Sequence, residues 1–135
     1  MTTIAVLDYG SGNLHSAKKA FERAACESGF AATIELVADA EALRAFDFIV
    51  LPGVGAFPDC RAGLERLPGM LEALKEAVIA RGRPFFGICV GMQILFERGI
   101  EHGLRTAGFR VGRHVLFRQI KLRFLRTSKA LTALA

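Results

Sequence analysis

Two hydrophobic rhythms alternate along this chain. An aliphatic run at residues 4–8 closes on Tyr9-Gly10-Ser11-Gly12-Asn13, the pattern of a buried strand entering a turn. Over residues 14–28, Leu14, Ala17, Phe21, Ala24 and Ala25 recur at helical spacing. Lys18, Lys19, Glu22 and Arg23 fill the opposite side, and Gly29 supplies the stop. Residues 32–37 alternate as a strand does, 39–45 read as a short helix with an acidic start, and 46–51 form another apolar run cut by Pro52-Gly53-Val54-Gly55. Helices are predicted over 59–67 and 70–81, the second with Leu71, Leu74, Val78 and Ile79 on one side. A final apolar strand, Pro84-Phe85-Phe86-Gly87-Ile88, passes through Cys89 into Val90-Gly91-Met92-Gln93, where a helix is expected again.

Short apolar strands bounded by Gly or Pro and alternating with helices predict an α/β fold: a parallel sheet with helices on both faces. Sites in such sheets lie beyond the C-terminal ends of the strands. The loops after Asp8, Leu51 and Ile88 should therefore share one rim.

With 135 residues, 52% of them hydrophobic, the chain has enough material for one domain with a real core. Its cysteines, Cys26, Cys60 and Cys89, are odd in number and lack C-x-x-C spacing, and no charged-then-apolar leader precedes the first strand, so a cytoplasmic location is expected. No apolar run approaches the roughly eighteen residues of a membrane span, so no membrane role is expected. The net charge of +5 is uneven: ten Lys/Arg face twelve Asp/Glu through Arg98, a balance of −2, whereas eight face one from Gly99 onward, a balance of +7. Residues 1–98 are accordingly read as the body of the domain and 99–135 as a separate basic tail.

Chemistry concentrates at Gly87-Ile88-Cys89-Val90-Gly91. A strand-turn-helix elbow holds its central side chain above the sheet, and flanking glycines remove the Cβ atoms that would clash. A helix N-terminus favours thiolate, the form that attacks carbonyl carbon; the plainer alternative for Cys89 is a buried thiol serving as a small hydrophobe. Pro52-Gly53-Val54-Gly55 would let backbone N–H groups approach an oxyanion, with the Val90 amide as a second donor; the alternative is a tight turn that needs glycine dihedrals. Gln93, four residues past Cys89, shares its helical face. In Gly10-Ser11-Gly12, His15 stands where a dinucleotide loop needs its third glycine, which argues against NAD. Asn13 and Ser16 suit turn and capping roles.

Taken together, Asp8-Tyr9-Gly10-Ser11-Gly12-Asn13-Leu14, Leu51-Pro52-Gly53-Val54-Gly55-Ala56-Phe57 and Gly87-Ile88-Cys89-Val90-Gly91-Met92-Gln93-Ile94-Leu95-Phe96 resemble the glutamine amidotransferase subunits of imidazole glycerol phosphate synthase, within the class I, triad-type amidotransferases. The resemblance covers about residues 4–98. It implies a flavodoxin-like fold, here truncated, and glutamine hydrolysis through a glutamyl thioester, with ammonia passed to a cyclase subunit for histidine biosynthesis. Carried over residue by residue, Cys89 is the nucleophile, Gly53 and Val54 form the oxyanion loop with Val90 as second donor, and Gly53 and Gln93 contact L-glutamine. No metal or organic cofactor is implied, and the expected partner is the cyclase rather than nucleic acid.

One element departs from the family pattern. The family's base and its orienting carboxylate are a His and a Glu two residues apart, downstream of the cysteine. After Cys89 this chain has only His102 and His114, followed two positions later by Leu104 and Leu116. Residues 99–135 are read either as a divergent or out-of-frame stretch, or as a basic amphipathic segment for an anionic partner. A noncatalytic, amidotransferase-like interaction module is the alternative to an enzyme.

Overall fold

The computed structural model describes residues 1–94 together with the backbone of 98–101 and 104–107; the basic stretch over 109–134 lies outside the described residues. Four parallel strands form the sheet: β1 (Thr2–Leu7), β2 (Ala32–Val37), β3 (Phe48–Gly53) and β4 (Phe85–Cys89), in the order β2-β1-β3-β4. Helices α1 (Leu14–Glu27), α2 (Ala40–Leu43), α3 (Phe57–Glu65), α4 (Met70–Lys75) and α5 (Val90–Gln93) connect or follow them. Two further short strands, β5 (Arg98–Glu101) and β6 (Leu104–Ala107), pair antiparallel in a separate ladder.

The period-two pattern of the strands divides the core between the two faces. Ile4 and Val6 of β1, Ile34 of β2 and Val50 of β3 point to one side, where Leu14, Ala17, Phe21 and Ala25 of α1 cover them. Ala5 and Leu7, with Ile49 and Leu51, point to the other side, under α2, α3, α4 and α5. Right-handed crossovers require this division: the chain moves one way from β1 to β2 and the other way from β2 through β3 to β4, so α1 lies on the face opposite the later helices. Phe86 and Ile88 of β4 face the α1 side, and the Phe86 ring meets Phe21 edge-on at 5.8 Å.

Most predicted elements form where the sequence places them, with local shifts. Asn13 and Asp39 cap α1 and α2, each accepting a backbone N–H with its side chain (Ser16 and Ala42). Helix α3 starts two residues earlier than expected because Pro58 fits the first helical turn, where its missing N–H costs nothing. The helix predicted over 70–81 widens into a π-helical segment, Glu76–Ala80, and the extra residue per turn moves Ile79 off the buried side, leaving it 47% exposed while Val78 stays buried. Among the described residues, no helix is long and apolar enough to cross a membrane.

At the strand N-termini, Asp47 accepts the Thr3 N–H at 2.9 Å and the Thr3 hydroxyl at 3.0 Å, which holds its carboxyl below the ordinary aspartate range. Hydrogen bonds from Arg44 and Arg81 lower Glu76 in the same way. Both groups bind protons less readily folded than unfolded, so their contribution is fully present above the ordinary carboxylate range and is lost as pH falls through their depressed folded values. The urea midpoint should hold steady near neutrality and fall once pH drops below about 4. The fall should be shallower in Asp47→Asn and in Glu76→Gln; equal slopes in wild type and both variants would rule these groups out as its source.

Candidate active site

The rim over the C-terminal ends of β1, β3 and β4 is built by close backbone approach. β3 and β4 run in register so that Gly53 lies beside Cys89. The first turn of α5 then folds back onto β3: a Cβ at Gly91 would stand 1.9 Å from the Leu51 carbonyl oxygen, and one at Gly53 would stand 2.6 Å from the Gly91 nitrogen. A Cβ at Gly87 would meet the Met92 Cα at 2.5 Å. These three positions therefore have no room for any side chain, whatever their dihedrals. The first loop joins the same rim, since a Cβ at Gly12 would come within 3.3 Å of the Pro52 side chain.

Cys89 sits at the junction of β4 and α5 with φ 54° and ψ −120°, the one non-glycine residue with positive φ among the described residues. Those angles belong to the first central position of a type II′ turn, which favours glycine because a Cβ crowds the backbone there. The strain turns the side chain out of the sheet: Cys89 is exposed, while Val90, the next residue, is 4% exposed. The alternative of a buried structural thiol is therefore excluded. Gln93 stands one turn further along α5 and is also exposed. The structure thus brings Cys89, Gly53, Val54, Val90 and Gln93 into one neighbourhood.

Beneath the Pro52-Gly55 loop lies a polar cluster that motif reading missed. The Tyr9 hydroxyl donates to the Pro52 carbonyl at 2.5 Å, and its ring lies against Gly63 of α3, where a Cβ would approach it to 2.8 Å. Burial, followed by the hydrogen bond with Cys60, pushes the Tyr9 hydroxyl well above its ordinary value, so it remains a donor throughout the working pH range. The Ser11 hydroxyl bonds Val54 twice, accepting its N–H at 3.2 Å and donating to its carbonyl at 3.2 Å. Cys60 Sγ, 1% exposed, donates to that same carbonyl at 3.2 Å and lies 3.3 Å from Ser11 Oγ. The Val54 amide, assigned from sequence to an oxyanion, is thus held by Ser11, while the Val54 side chain is 58% exposed. Tyr9 and Ser11 lie within a loop already marked by its glycines, but nothing in the sequence distinguishes Cys60 from a small core residue.

A groove of about 520 Å3 between α1 and β2, lined by Lys18, Cys26, Phe30 and Ile34 among others, lies at the opposite edge of the sheet from β4 and takes no part in this arrangement.

The strain at residue 89 is measurable. Cys89→Gly relieves roughly 1–3 kcal/mol of backbone strain, offset by roughly 0.5–1 kcal/mol for the freer unfolded chain. Urea unfolding should therefore show Cys89→Gly more stable than Cys89→Ala by about 1 kcal/mol. An alanine variant more stable than the glycine variant by about 0.5–1 kcal/mol would show that the turn carries no strain.

Comparison with known proteins places this chain in a family. Residues 5–122 match the model described as glutamine amidotransferase class-I. The chain is 61% identical over 98 residues to imidazole glycerol phosphate synthase subunit HisH of Brucella suis biovar 1 (strain 1330), covering 73% of this chain and 45% of that protein. It is 59% identical over 106 residues to the protein of that name from Mesorhizobium japonicum, covering 78% and 49%, and 56% identical over 100 residues to that from Rhodospirillum rubrum, covering 74% and 47%. The chain spans about half the length of the curated relatives it matches. A four-stranded parallel sheet of flavodoxin-like order, a strained cysteine at the β4–α5 elbow and a match over residues 5–122 together establish that this chain belongs to the class-I glutamine amidotransferase family.

Proposed function

We propose that Cys89 is the nucleophile of a glutamine amidotransferase whose ammonia serves a cyclase subunit in imidazole glycerol phosphate synthesis. The observation that carries this reading is the exposed cysteine in a strained elbow, next to Gly53 across the sheet and directly before the buried Val90. The likeness to the HisH subunits supports the pathway and the partner. In this mechanism the thiolate sulfur bonds to the side-chain amide carbon of L-glutamine, and the carbonyl oxygen becomes an oxyanion facing the Val90 and Val54 amides. Collapse returns the carbonyl, breaks the C–N bond and releases the nitrogen as ammonia once it has taken up a proton. The resulting glutamyl thioester is then hydrolysed by water. Gln93 and the Gly53 backbone orient the glutamine. To serve the oxyanion, Val54 must exchange its Ser11 partner for the substrate oxygen.

A second reading is favoured by one observation: neither His102 nor His114 has a Glu two residues later. Under it, the chain is a noncatalytic module that docks on the cyclase. Incubation with radiolabelled glutamine separates the two. We expect a hydroxylamine-labile label on Cys89, absent in Cys89→Ala, with turnover well below about one equivalent per minute, against about 10 per second for a typical enzyme. No label on Cys89 would exclude the enzymatic reading and leave the docking module.

We further propose that residues 99–135, with their balance of +7, are divergent from the domain or translated out of its frame, although the family match runs on to residue 122. Sequencing the gene across the codons for residues 98–112 and beyond should reveal a shifted frame that encodes further strands and a His-x-Glu pair. If no frame encodes them, the stretch is part of the protein's own reading frame and the docking module becomes the better reading.

A further inference from the structure

We propose that Cys60 is a positioning residue for the reaction at Cys89, acting through the Val54 carbonyl; this deepens the glutaminase reading and rests on it. Val54 is gripped at two atoms by two side chains, and their duties differ. Ser11 holds both the N–H and the carbonyl, whereas Cys60 holds the carbonyl alone. One assignment of hydrogens satisfies both polar atoms of Val54: the Cys60 S–H and the Ser11 O–H both point at the two lone pairs of the Val54 oxygen, and the Val54 N–H points at Ser11 Oγ.

The consequence appears when the Val54 amide is given over to an oxyanion. Ser11 then loses one of its two bonds to Val54, and its hold on the carbonyl loosens with it. Cys60 makes no bond to that amide: its thiol sits on α3, is 1% exposed and, although 3.3 Å from Ser11 Oγ, reaches the carbonyl whether or not the amide is engaged. It keeps the peptide after Val54 fixed while the peptide before it exchanges partners. Tyr9 does the same for the upstream end by holding the Pro52 carbonyl, so the two residues between these anchors are left free to adjust. The gain is geometric: an oxyanion donor misplaced by a fraction of an ångström loses most of its value.

The test compares two alkylations of Cys89 in the full chain, with adducts located by mass spectrometry and the exposed Cys26 as internal standard. The chloromethyl ketone analogue of L-glutamine reacts through a carbonyl whose oxygen gathers charge as the thiolate attacks, before the sulfur displaces chloride. Iodoacetamide reacts by direct displacement of iodide and makes no such demand. Cys60→Ala should slow the chloroketone reaction about tenfold while leaving the iodoacetamide rate unchanged. Cys60→Ser, which keeps a donor at the same place, should restore most of the chloroketone rate, and Cys60→Val, which keeps the volume without the donor, should not. A role limited to packing would let valine rescue and serine fail, or would change both reactions together; either result overturns the proposal, as does an unchanged chloroketone rate in Cys60→Ala. If wild-type Cys89 shows no preference for the glutamine-shaped reagent over Cys26, the glutaminase reading fails and takes this proposal with it.

Discussion

Everything at the rim depends on one steric condition: the first turn of α5 must lie against the backbone of β3 with nothing between them. The Leu51 carbonyl would sit 1.9 Å from any Cβ at position 91, so α5 can dock there only because Gly91 has none. Gly53 and Gly87 meet the same condition from the two strands. Once α5 is seated, the chain leaving β4 must reverse within one residue, and the strained φ of Cys89 is the price of that reversal. The exposed thiol, the buried Val90 and the adjacency of Gly53 all follow from this contact rather than from any attraction between the groups themselves.

The topology places the remaining parts. Because β1 and β3 are neighbours while the chain departs from them in opposite directions, their C-terminal loops meet at the switch point of the sheet. That arrangement is why Ser11 reaches Val54 and Tyr9 reaches Pro52, although each pair is separated by 43 residues in sequence. The loop that resembles an oxyanion strand is therefore held from below by the first strand's loop and from behind by α3.

Much of this was legible in the residues. The strand at Ala32–Val37 has the bounds its alternation predicted, and the two faces of the core follow the period-two pattern of β1 and β3. The elbow at Cys89 was legible because glycine spacing records a steric demand directly. Less visible were features set by tertiary contact. Leu74, Val78 and Ile79 fit one helical stripe until the π-helical widening at Glu76–Ala80 rotates Ile79 outward. The partner of the Val54 amide was equally hidden, since a serine in a glycine-rich turn reads first as a turn residue and only the packing of β1 against β3 makes it a clamp. Cys60 gave no signal, because a buried thiol on an apolar helix face looks the same in sequence whether or not its proton is used.

Tyr9 has one more consequence. The chain contains a single tyrosine and no tryptophan, so its tyrosine emission comes from one ring, and that ring is wedged between Gly63 and Gly53 with its hydroxyl on the Pro52 carbonyl. The molecule carries a built-in optical probe directly under the loop that faces Cys89. A change in the packing or hydrogen bonding of that loop will register as a change in tyrosine intensity or lifetime, with no second tyrosine or tryptophan to mask it.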